Sequence, residues 1–300
     1  MSNKLHGLYD SDQSVYMAGF GAAVVTYQVL LDGQLVHEEQ YMKDAKEFVA
    51  VAIGENDVNP DSITIEKHVD PAPLAHSLHN LKVIVEGAIA DSKCDTYMMY
   101  LSKGRTFRDD ITRNAEYLYN GKNKLYKGNR LDVEKPKFYN QMVDYLVKNY
   151  GARVCEGIEA DDAVAIQQSR YLDRSKLSIL ISADKDLNTV PGLHYNPQKK
   201  VSYGVSVDEA DEWFWCQMIM GDTADNITGL PRKGKMAAYK LLQDCAGHEE
   251  RRKVVMDAYF EHYKDLEFSV VQEIIQDTSN LLHMLREYKK DDAGDIILRY

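Results

Sequence analysis

The chain has 300 residues, enough for one large domain or two small ones, and its hydrophobic fraction of 44% is ordinary for a globular protein. No apolar run is long enough to cross a membrane, which argues against an integral membrane protein. The formal net charge of −11, taken alone, argues against a nucleic-acid partner.

Several common classes of protein are disfavoured by missing motifs. The N-terminus lacks the pattern of a secretory signal, and the four cysteines lie far apart without a Cys-x-x-Cys pair. We therefore expect reduced thiols and a cytoplasmic location. The histidines form no zinc pattern, and the chain has neither a Gly-rich phosphate loop nor a Gly-x-Ser-x-Gly elbow.

Apolar patterns predict strands and helices that alternate along the chain, which is typical of an α/β protein. The predicted elements are a strand at 5–9, a helix at 14–25, a β-excursion with an Asp-Gly hairpin at 25–41, a helix at 43–53, a strand at 62–68, a helix at 71–90, a strand at 96–101, a helix at 136–150, then strand, helix and strand through residue 182, and a loop or hairpin at 191–203. Residues 103–136 have an irregular pattern, and the chain after residue 203 is mostly helical.

Acidic clusters stand at the ends of these predicted elements. They contain Asp10; Glu159, Asp161 and Asp162; Asp184 and Asp186; and Asp222 and Asp225. In α/β sheets, ligands collect beyond the carboxyl ends of the strands. Carboxylates placed together repel one another unless a cation lies between them, and oxygen ligands suit Mg²⁺ or Mn²⁺ rather than zinc. One cluster alone is better explained by helix-dipole or turn preferences; the full set predicts a site with enough oxygen for two metal ions.

Positive charge is concentrated in one segment. Between Lys103 and Lys137 there are ten Lys and Arg residues and five Asp and Glu residues. This stretch therefore has a net charge of +5, and the rest of the chain has a net charge of −16. Aromatic residues among these cations suit base stacking, although core packing explains any single one as well. A second basic element, Gly229–Gly234, opens a predicted helix and could bind phosphate through its backbone N–H groups. Composition alone slightly favours an ordinary connection between two helices over a phosphate-binding loop at this position.

Five motifs, in this order and spacing, carry a family resemblance. They are Tyr126-Lys-Gly-Asn-Arg130, Gly157-Ile-Glu-Ala-Asp-Asp162, Ile181-Ser-Ala-Asp-Lys-Asp186, Gly221-Asp-Thr-Ala-Asp-Asn226 and Gly229-Leu-Pro-Arg-Lys-Gly234. Together they resemble the bacteriophage 5′→3′ exonucleases of the flap-endonuclease family, which includes the 5′-nuclease domain of bacterial DNA polymerase I. The resemblance runs from about residue 5 to residue 242.

The resemblance implies a PIN-like three-layer α/β/α core with a central, mostly parallel sheet. It further implies a helical arch at about 103–137 and a helix-three-turn-helix at about 222–242. We accordingly expect a catalytic core at 1–205 and a helical region at 206–300. The implied activity is metal-dependent 5′→3′ exodeoxyribonuclease, with structure-specific cutting of flaps, in phage DNA replication and recombination within the host cytoplasm.

The resemblance also assigns roles to single residues. All eight clustered carboxylates are implied metal ligands for two Mg²⁺ or Mn²⁺ ions, and the implied catalytic residues are Lys127, Arg130 and Asp184. The implied DNA-binding residues are Arg105, Arg108, Arg113, Tyr126, Lys127, Arg130, Gly229, Arg232, Lys233, Gly234 and Lys235. The helix-three-turn-helix of the family also uses a monovalent cation such as K⁺. The expected partner is duplex DNA with a 5′ end, nick or flap, bound by a monomer.

Two departures from the family pattern qualify these assignments. Many members carry an Asp where this chain has Ser102-Lys103-Gly104, and Arg232-Lys233 replaces the usual Gly-Ile pair. The second departure affects coordination of the monovalent cation at the helix-three-turn-helix and leaves the predicted phosphate binding unchanged. The alternative functions are a PIN-type ribonuclease, RNase H-like removal of RNA primers, and a non-catalytic scaffold that binds nucleic acid.

Overall fold

The computed structural model of the protein describes residues 4–55, 58–70, 72–114, 125–130 and 133–287, without the side chains of residues 55 and 112–114. The chain folds as two compact units. The larger unit joins Met1–Gln13, Val85–Glu134 and Val143–Tyr300, and the smaller joins Ser14–Ile84 and Lys135–Met142. The predicted division after residue 205 separates the chain differently and stays a prediction.

The predicted alternation of strands and helices is confirmed. The strands are β1 (His6–Asp10), β2 (Val24–Leu31), β3 (Gln34–Glu39), β4 (Ile63–Asp70), β5 (Thr96–Thr106), β6 (Arg153–Gly157), β7 (Ser178–Ile181), β8 (Gly192–Asn196), β9 (Val201–Val205), β10 (Gly221–Asp222) and β11 (Ile227–Thr228). The helices are α1 (Asp12–Gly21), α2 (Met42–Glu55), α3 (Leu74–Ser92), α4 (Phe107–Asn114), α5 (Tyr139–Tyr150), α6 (Ala160–Asp173), α7 (Val207–Met220), α8 (Lys235–Leu242), α9 (His248–His262) and α10 (Phe268–Leu282). Short 3-10 turns cover Pro60–Ser62, Gly128–Arg130 and Asp186–Thr189.

A six-stranded sheet forms the centre of the larger unit. Its strand order is β6-β5-β1-β7-β8-β9, and every pair is parallel except β8 with β9. The central strand β1 lies between β5 and β7, with Leu8 opposite both Met98 and Leu180. Strands that are buried on both faces are largely apolar, and β7, with the sequence Ser-Ile-Leu-Ile, is buried at every position. The predicted α/β class with a central, mostly parallel sheet is confirmed.

Helix α6 packs on this sheet and connects β6 to β7. Its Ala-rich face, including Val164 and Ala165, shares a core cluster with Leu8 and Leu180. Small side chains on this face let the helix approach the strands closely. The acidic start of α6 therefore lies at the carboxyl end of the sheet.

Helices α7 to α10 form a second core within the larger unit. Buried residues of this core include Cys216 on α7, Val255 and Tyr259 on α9, and Ile274 on α10. The wholly buried Tyr259 donates a hydrogen bond from its hydroxyl to the Met218 carbonyl at 2.6 Å, so its polar atom is satisfied inside the core. Within the described ranges, no helix is both long and apolar enough to cross a bilayer.

The smaller unit contains the predicted β-excursion. Its sheet is antiparallel, in the order β3-β2-β4. The predicted Asp-Gly hairpin turn is confirmed, because Asp32 and Gly33 both have positive φ angles, 49° and 78°. Helix α2 contributes Phe48, whose ring stacks on that of His37 with centroids 3.9 Å apart.

The basic segment is more regular than its pattern predicted. Strand β5 continues to Thr106, and helix α4 follows it directly. Pairing with β6 explains the extension, since Lys103 lies opposite Glu156 and Thr106 opposite Gly157. Such pairing outweighs the weak strand preference of charged residues. Residues 115–124 and 131–132 lie outside the described residues, so the helical arch stays a prediction.

Candidate active site

The predicted acidic residues gather beyond the carboxyl ends of the parallel strands. Asp10 ends β1, Glu159 follows β6, and Asp184 follows β7. Electrostatic interactions link the set in a chain: Asp10 with Asp184, Asp184 with Asp186, Asp186 with Asp222, Asp222 with Asp225, Asp225 with Glu159, and Asp161 with both Glu159 and Asp162. The structure therefore brings every predicted carboxylate into one acidic site.

Asp10 is buried at the end of the central strand β1. Its Oδ2 accepts a hydrogen bond from the Ser182 hydroxyl at 3.0 Å, and the same hydroxyl accepts one from the Asp184 backbone N–H at 3.0 Å. Burial, reinforced by the Asp12 and Asp184 carboxylates, raises the pKa of Asp10 to about 8. Ser182 thus joins the ends of two adjacent strands, and Asp10 holds a proton near neutral pH when no cation is present.

Asp12, which the sequence analysis did not select, adds a carboxylate beside Ser102. Its Oδ1 accepts a hydrogen bond from the Ser102 backbone N–H at 2.9 Å, and the Ser102 hydroxyl accepts one from the Ala160 N–H at 2.8 Å. Burial raises the pKa of Asp12. Ser102 has no carboxylate of its own, but Asp12, at the start of α1, places one beside it within β5. The sequence did contain a sign of this second carboxylate, since Asp12 lies two residues after Asp10.

The start of α6 supplies three acids. Ligand atoms of Glu159, Asp161 and Asp162 all lie within 4.8 Å of one another. Burial and the neighbouring Glu159 carboxylate raise the pKa of Asp161 well above its usual range. Burial opposes ionisation of Glu159 as well, but the Lys127 and Arg108 cations outweigh it and lower its pKa.

Arg108 differs from its predicted role on the DNA surface. Its side chain is 0% exposed, and its guanidinium forms a two-point ion pair with Asp162 through contacts of 2.5 and 2.8 Å. The same guanidinium contacts Glu159 at 3.3 Å. The prediction failed because a basic segment gives no sign of which cation turns inward, and the partner carboxylates are distant in sequence.

Residues 125–130 dock on the hairpin formed by β10 and β11. The Lys127 backbone N–H donates to the Asp225 carbonyl at 2.9 Å, and the Asn226 side chain donates to the Leu125 carbonyl at 2.9 Å. Lys127 and Asn226 both have positive φ angles, 52° and 60°, so each chain bends sharply at the junction. The docking fixes the predicted motif against the second acidic group.

The side chains of this motif point into the acidic site. The ammonium group of Lys127 donates to Glu159 and lies 3.8 Å from Asp225, and Arg130 contacts Asp225 at 2.5 Å. The Tyr126 hydroxyl donates to Glu159 at 2.7 Å, and its ring is buried, so Tyr126 supports the acids rather than offering an open stacking surface. Burial lowers the pKa of Lys127, but the Glu159 and Asp225 carboxylates raise it by more, which keeps the ammonium charged.

A second lysine, Lys185, lies among the remaining acids. The Lys185 ammonium donates to Asp222 and, at 2.9 Å, to Asp186. Gln217 on α7 donates to the same Asp186 oxygen at 2.6 Å. Burial, together with the Asp184 charge, raises the pKa of Asp186 to about 7, whereas the Lys185 hydrogen bond outweighs burial and lowers the pKa of Asp222.

The loop Gly229–Gly234, which precedes α8, has its cationic side chains exposed to solvent. Arg232, Lys233, Gly234 and Lys235 are exposed. Gly229 is buried against Gly221, where a Cβ on either residue would lie 2.3 Å from a backbone nitrogen of the other. This close approach explains the glycine at each position and anchors the loop to the β10–β11 hairpin.

The remaining predicted DNA contacts lie on β5 and α4. Arg105 is exposed and pairs with Asp110. The backbone of Arg113 belongs to α4, but its side chain lies outside the described residues. The structure therefore leaves the predicted contacts of both residues with DNA as predictions.

The residues of the site fit divalent metal ions. The ligand atoms that gather there are carboxylate oxygens, which suit hard cations. Burial, reinforced by neighbouring carboxylates, raises the pKa values of Asp10 and Asp186 to about 8 and about 7. A divalent cation would supply the missing positive charge and displace the protons.

The comparisons with known proteins agree with the motifs. No family model matches the chain. DNA polymerase I of Chloroflexus aurantiacus is 27% identical over 176 residues, a match that covers 52% of this chain and 17% of that protein. The chain resembles the 5′-nuclease family. The match spans about a sixth of the length of that relative.

Solved structures of a bacteriophage protein are also similar to this chain. The bacteriophage T5 D15 protein crystallised with metal ions has a TM-score of 0.44 and 17% identity, over 68% of this chain and 92% of that one. A T5 D15 flap endonuclease complex with DNA and metal ions has a TM-score of 0.43 and 15% identity, over 68% and 90% of the two chains.

Proposed function

We propose that the protein is a divalent-metal-dependent nuclease that hydrolyses DNA phosphodiester bonds from 5′ ends and cuts flapped structures. One observation carries the proposal: buried and half-buried carboxylates gather at the carboxyl ends of parallel strands, and two lysines and an arginine form ion pairs with them. Acids that bind metal, beside cations that meet phosphate, suit phosphodiester hydrolysis. The resemblance to 5′-nucleases supports DNA as the substrate.

The residues that would hold metal divide into two groups. By the family resemblance, Asp10, Glu159 and Asp161, with Asp162 beside them, would form one group, and Asp184, Asp186, Asp222 and Asp225 would form the other. When bound, Mg²⁺ or Mn²⁺ would lower the pKa of water to give hydroxide near neutral pH and would stabilise the leaving oxygen. The carboxylates position the ions and are not the nucleophile.

The cations of the site act on the substrate. Lys127 and Arg130 reach the acids from the docked segment 125–130, so a phosphate that enters the site meets both charges. They would neutralise the charge that develops on the phosphate during cleavage. Lys127 would exchange its contacts with Glu159 and Asp225 for contacts with the phosphate once metal neutralises those acids.

Duplex DNA would be held by the exposed loop before α8. Its backbone N–H groups and the exposed Arg232, Lys233 and Lys235 provide a positive surface at a helix N-terminus. Lys235 also lies over the ring of Trp213 at 5.2 Å, which orients the start of the helix. The K⁺ ion, the monomeric state and the preference for nicks or flaps stay predictions.

A substrate series tests the proposal against its alternatives. The same 5′-labelled strand is digested in Mg²⁺ as blunt duplex, nicked duplex, flap and RNA–DNA hybrid. We expect release of nucleotides from the duplex 5′ end and cutting near the flap junction. Preference for the RNA strand would favour the ribonuclease alternatives, and tight binding without cleavage in Mg²⁺ or Mn²⁺ would favour the scaffold.

A further inference from the structure

We propose that Arg108 is a positioning residue: it ties the chain segment Leu281–Leu285 to Asp162 and so fixes the acidic start of α6. The inference rests on the proposed function, since the acids that it positions are those of the nuclease site. It gives a role to a part of the chain that lies beyond the motifs of the 5′-nuclease resemblance.

Arg108 uses all of its hydrogen-bond donors inside the protein. Its Nε–H donates to the Leu281 carbonyl at 3.0 Å, and Nη2 donates to the His283 carbonyl at 2.9 Å and to Asp162 Oδ1 at 2.8 Å. Nη1 donates to Asp162 Oδ2 at 2.5 Å and to Glu159 at 3.3 Å. A guanidinium has five N–H groups, and each has an acceptor here. No donor is left for DNA.

Asp162 is saturated in the same way. Its Oδ1 accepts from Arg108 and from the Leu285 backbone N–H at 3.1 Å, and its Oδ2 accepts from Arg108 and from the Glu159 backbone N–H at 3.3 Å. An ionised carboxylate has about four lone-pair positions, and these contacts occupy them. Asp162 therefore supports the site and does not bind metal, unlike the sequence-based assignment.

The segment after α10 is anchored to the same core as the sheet. Met284 and Leu285 are buried in the cluster that contains Leu8 and Val164. Arg108 and Asp162 connect this anchored segment to Glu159, and Glu159 in turn contacts Lys127. A change at Arg108 would thus displace an acid and a cation that both face the substrate.

Only arginine fits this position. The planar guanidinium of arginine pairs with both oxygens of Asp162 and still has N–H groups that reach two backbone carbonyls. A lysine ammonium has three donors on a single nitrogen and could not make all of these contacts. Removing one member of a buried ion pair also leaves the other charge unpaired, so the test must separate lost stability from lost positioning.

The first experiment compares Arg108→Met with Arg251→Met. Arg251 on α9 is a matched control, because it is also buried and pairs with two carboxylates. These are Asp208 at 2.7 Å and Asp211 at 2.9 Å, both on α7. We expect Arg108→Met to lower kcat about 100-fold while KM for DNA changes less than about threefold. Arg251→Met should lower the melting temperature and leave kcat near that of the wild type.

Two results of this comparison would overturn the proposal. If both variants lose activity in proportion to their loss of melting temperature, Arg108 is a structural residue only. If Arg108→Met raises KM and leaves kcat unchanged, Arg108 contacts DNA, as its sequence had suggested.

Asp162→Asn provides a second test that does not depend on the folding of the arginine variant. Asparagine keeps the shape and an acceptor for the Leu285 N–H but weakens the pair with Arg108. We expect a lower kcat and an unchanged Mg²⁺ concentration for half-maximal rate. A rise of about tenfold or more in that concentration would show that Asp162 binds metal, which contradicts the proposal.

Hydrogen exchange gives a readout that is independent of catalysis. Peptides covering residues 281–287 should exchange faster in Asp162→Ala, which removes the acceptor of the Leu285 N–H, than in the wild type, while peptides from α9 should not change. Equal exchange in both proteins would overturn the link between the segment and Asp162. If the wild type cleaves no DNA, the proposed function fails, but the exchange result still decides whether the link exists.

Discussion

The ammonium group of Lys185 donates a hydrogen bond to the carboxylate of Asp222, which lies at the end of a different element of the chain. The same ammonium lies 2.9 Å from Asp186, so one lysine occupies the space between two acids that were predicted to bind metal. Its side chain is 51% exposed, so it can move into solvent when a metal ion enters.

This arrangement predicts that Lys185 competes with metal. Lys185→Met should increase the affinity for Mn²⁺ about tenfold in the absence of DNA, because a divalent cation no longer has to displace the ammonium. Isothermal titration calorimetry measures the change. Lys148→Met, which removes an exposed lysine from α5, is the matched control and should bind Mn²⁺ like the wild type. Unchanged affinity in Lys185→Met would disprove the competition.

The sequence predicted the acidic site more fully than it predicted the contacts within it. The order of strands and helices and the ends of β1, β6 and β7 followed from local apolar patterns, and these ends place Asp10, Glu159 and Asp184 together. The partners of Arg108 could not be predicted in this way, because Leu281 lies 173 residues away from it. Such contacts depend on tertiary packing, which no local pattern records.

Lys185 and Asp12 were missed for a related reason. Both lie beside residues that were selected, but their neighbours in the sequence do not reveal which way their side chains point. Only the folded chain shows that Lys185 reaches Asp222 and that Asp12 reaches Ser102 on β5. In the same way, the motif Tyr126-Lys-Gly-Asn-Arg130 gave no sign that Tyr126 would be buried.

Lys127 and Lys233 should have separable roles. Lys127→Ala should lower the single-turnover rate at saturating enzyme by about 10²–10³-fold, because this ammonium meets charge that develops in the transition state. Lys233→Ala should instead raise the dissociation constant and reduce the salt slope of binding by about one. Rates are measured in Mg²⁺ and binding in Ca²⁺. If Lys127→Ala binds weakly but cleaves normally at saturation, its role is only electrostatic guidance.

The metal-free protein should lose stability as the pH rises. In the unfolded chain the Asp10 carboxyl releases its proton near the ordinary aspartate pKa of 3.8, whereas the native state keeps the proton up to about pH 8. The proton therefore stabilises the native state fully below pH 3.8, and this contribution is lost as the pH rises through about 8. Asp186, with a pKa of about 7, acts in the same direction.

Thermal unfolding in EDTA checks this expectation. The melting temperature should fall by several degrees between about pH 6 and about pH 9, and Mg²⁺ should raise it more at the higher pH. Asp10→Asn should show a shallower dependence on pH than the wild type, because its amide does not titrate. A melting temperature that rises with pH over this range would contradict the assigned direction.

The acidic site is proposed to cleave DNA with the help of divalent metal. The most direct test is digestion of 5′-labelled duplex DNA by the wild type and by Asp184→Ala, each in Mg²⁺ and in EDTA, with circular dichroism and Ca²⁺-supported binding measured on both proteins. We expect cleavage only by the wild type in Mg²⁺, with a folded variant that binds DNA nearly as tightly. Near-normal turnover by Asp184→Ala, or equal cleavage in EDTA, would contradict the account.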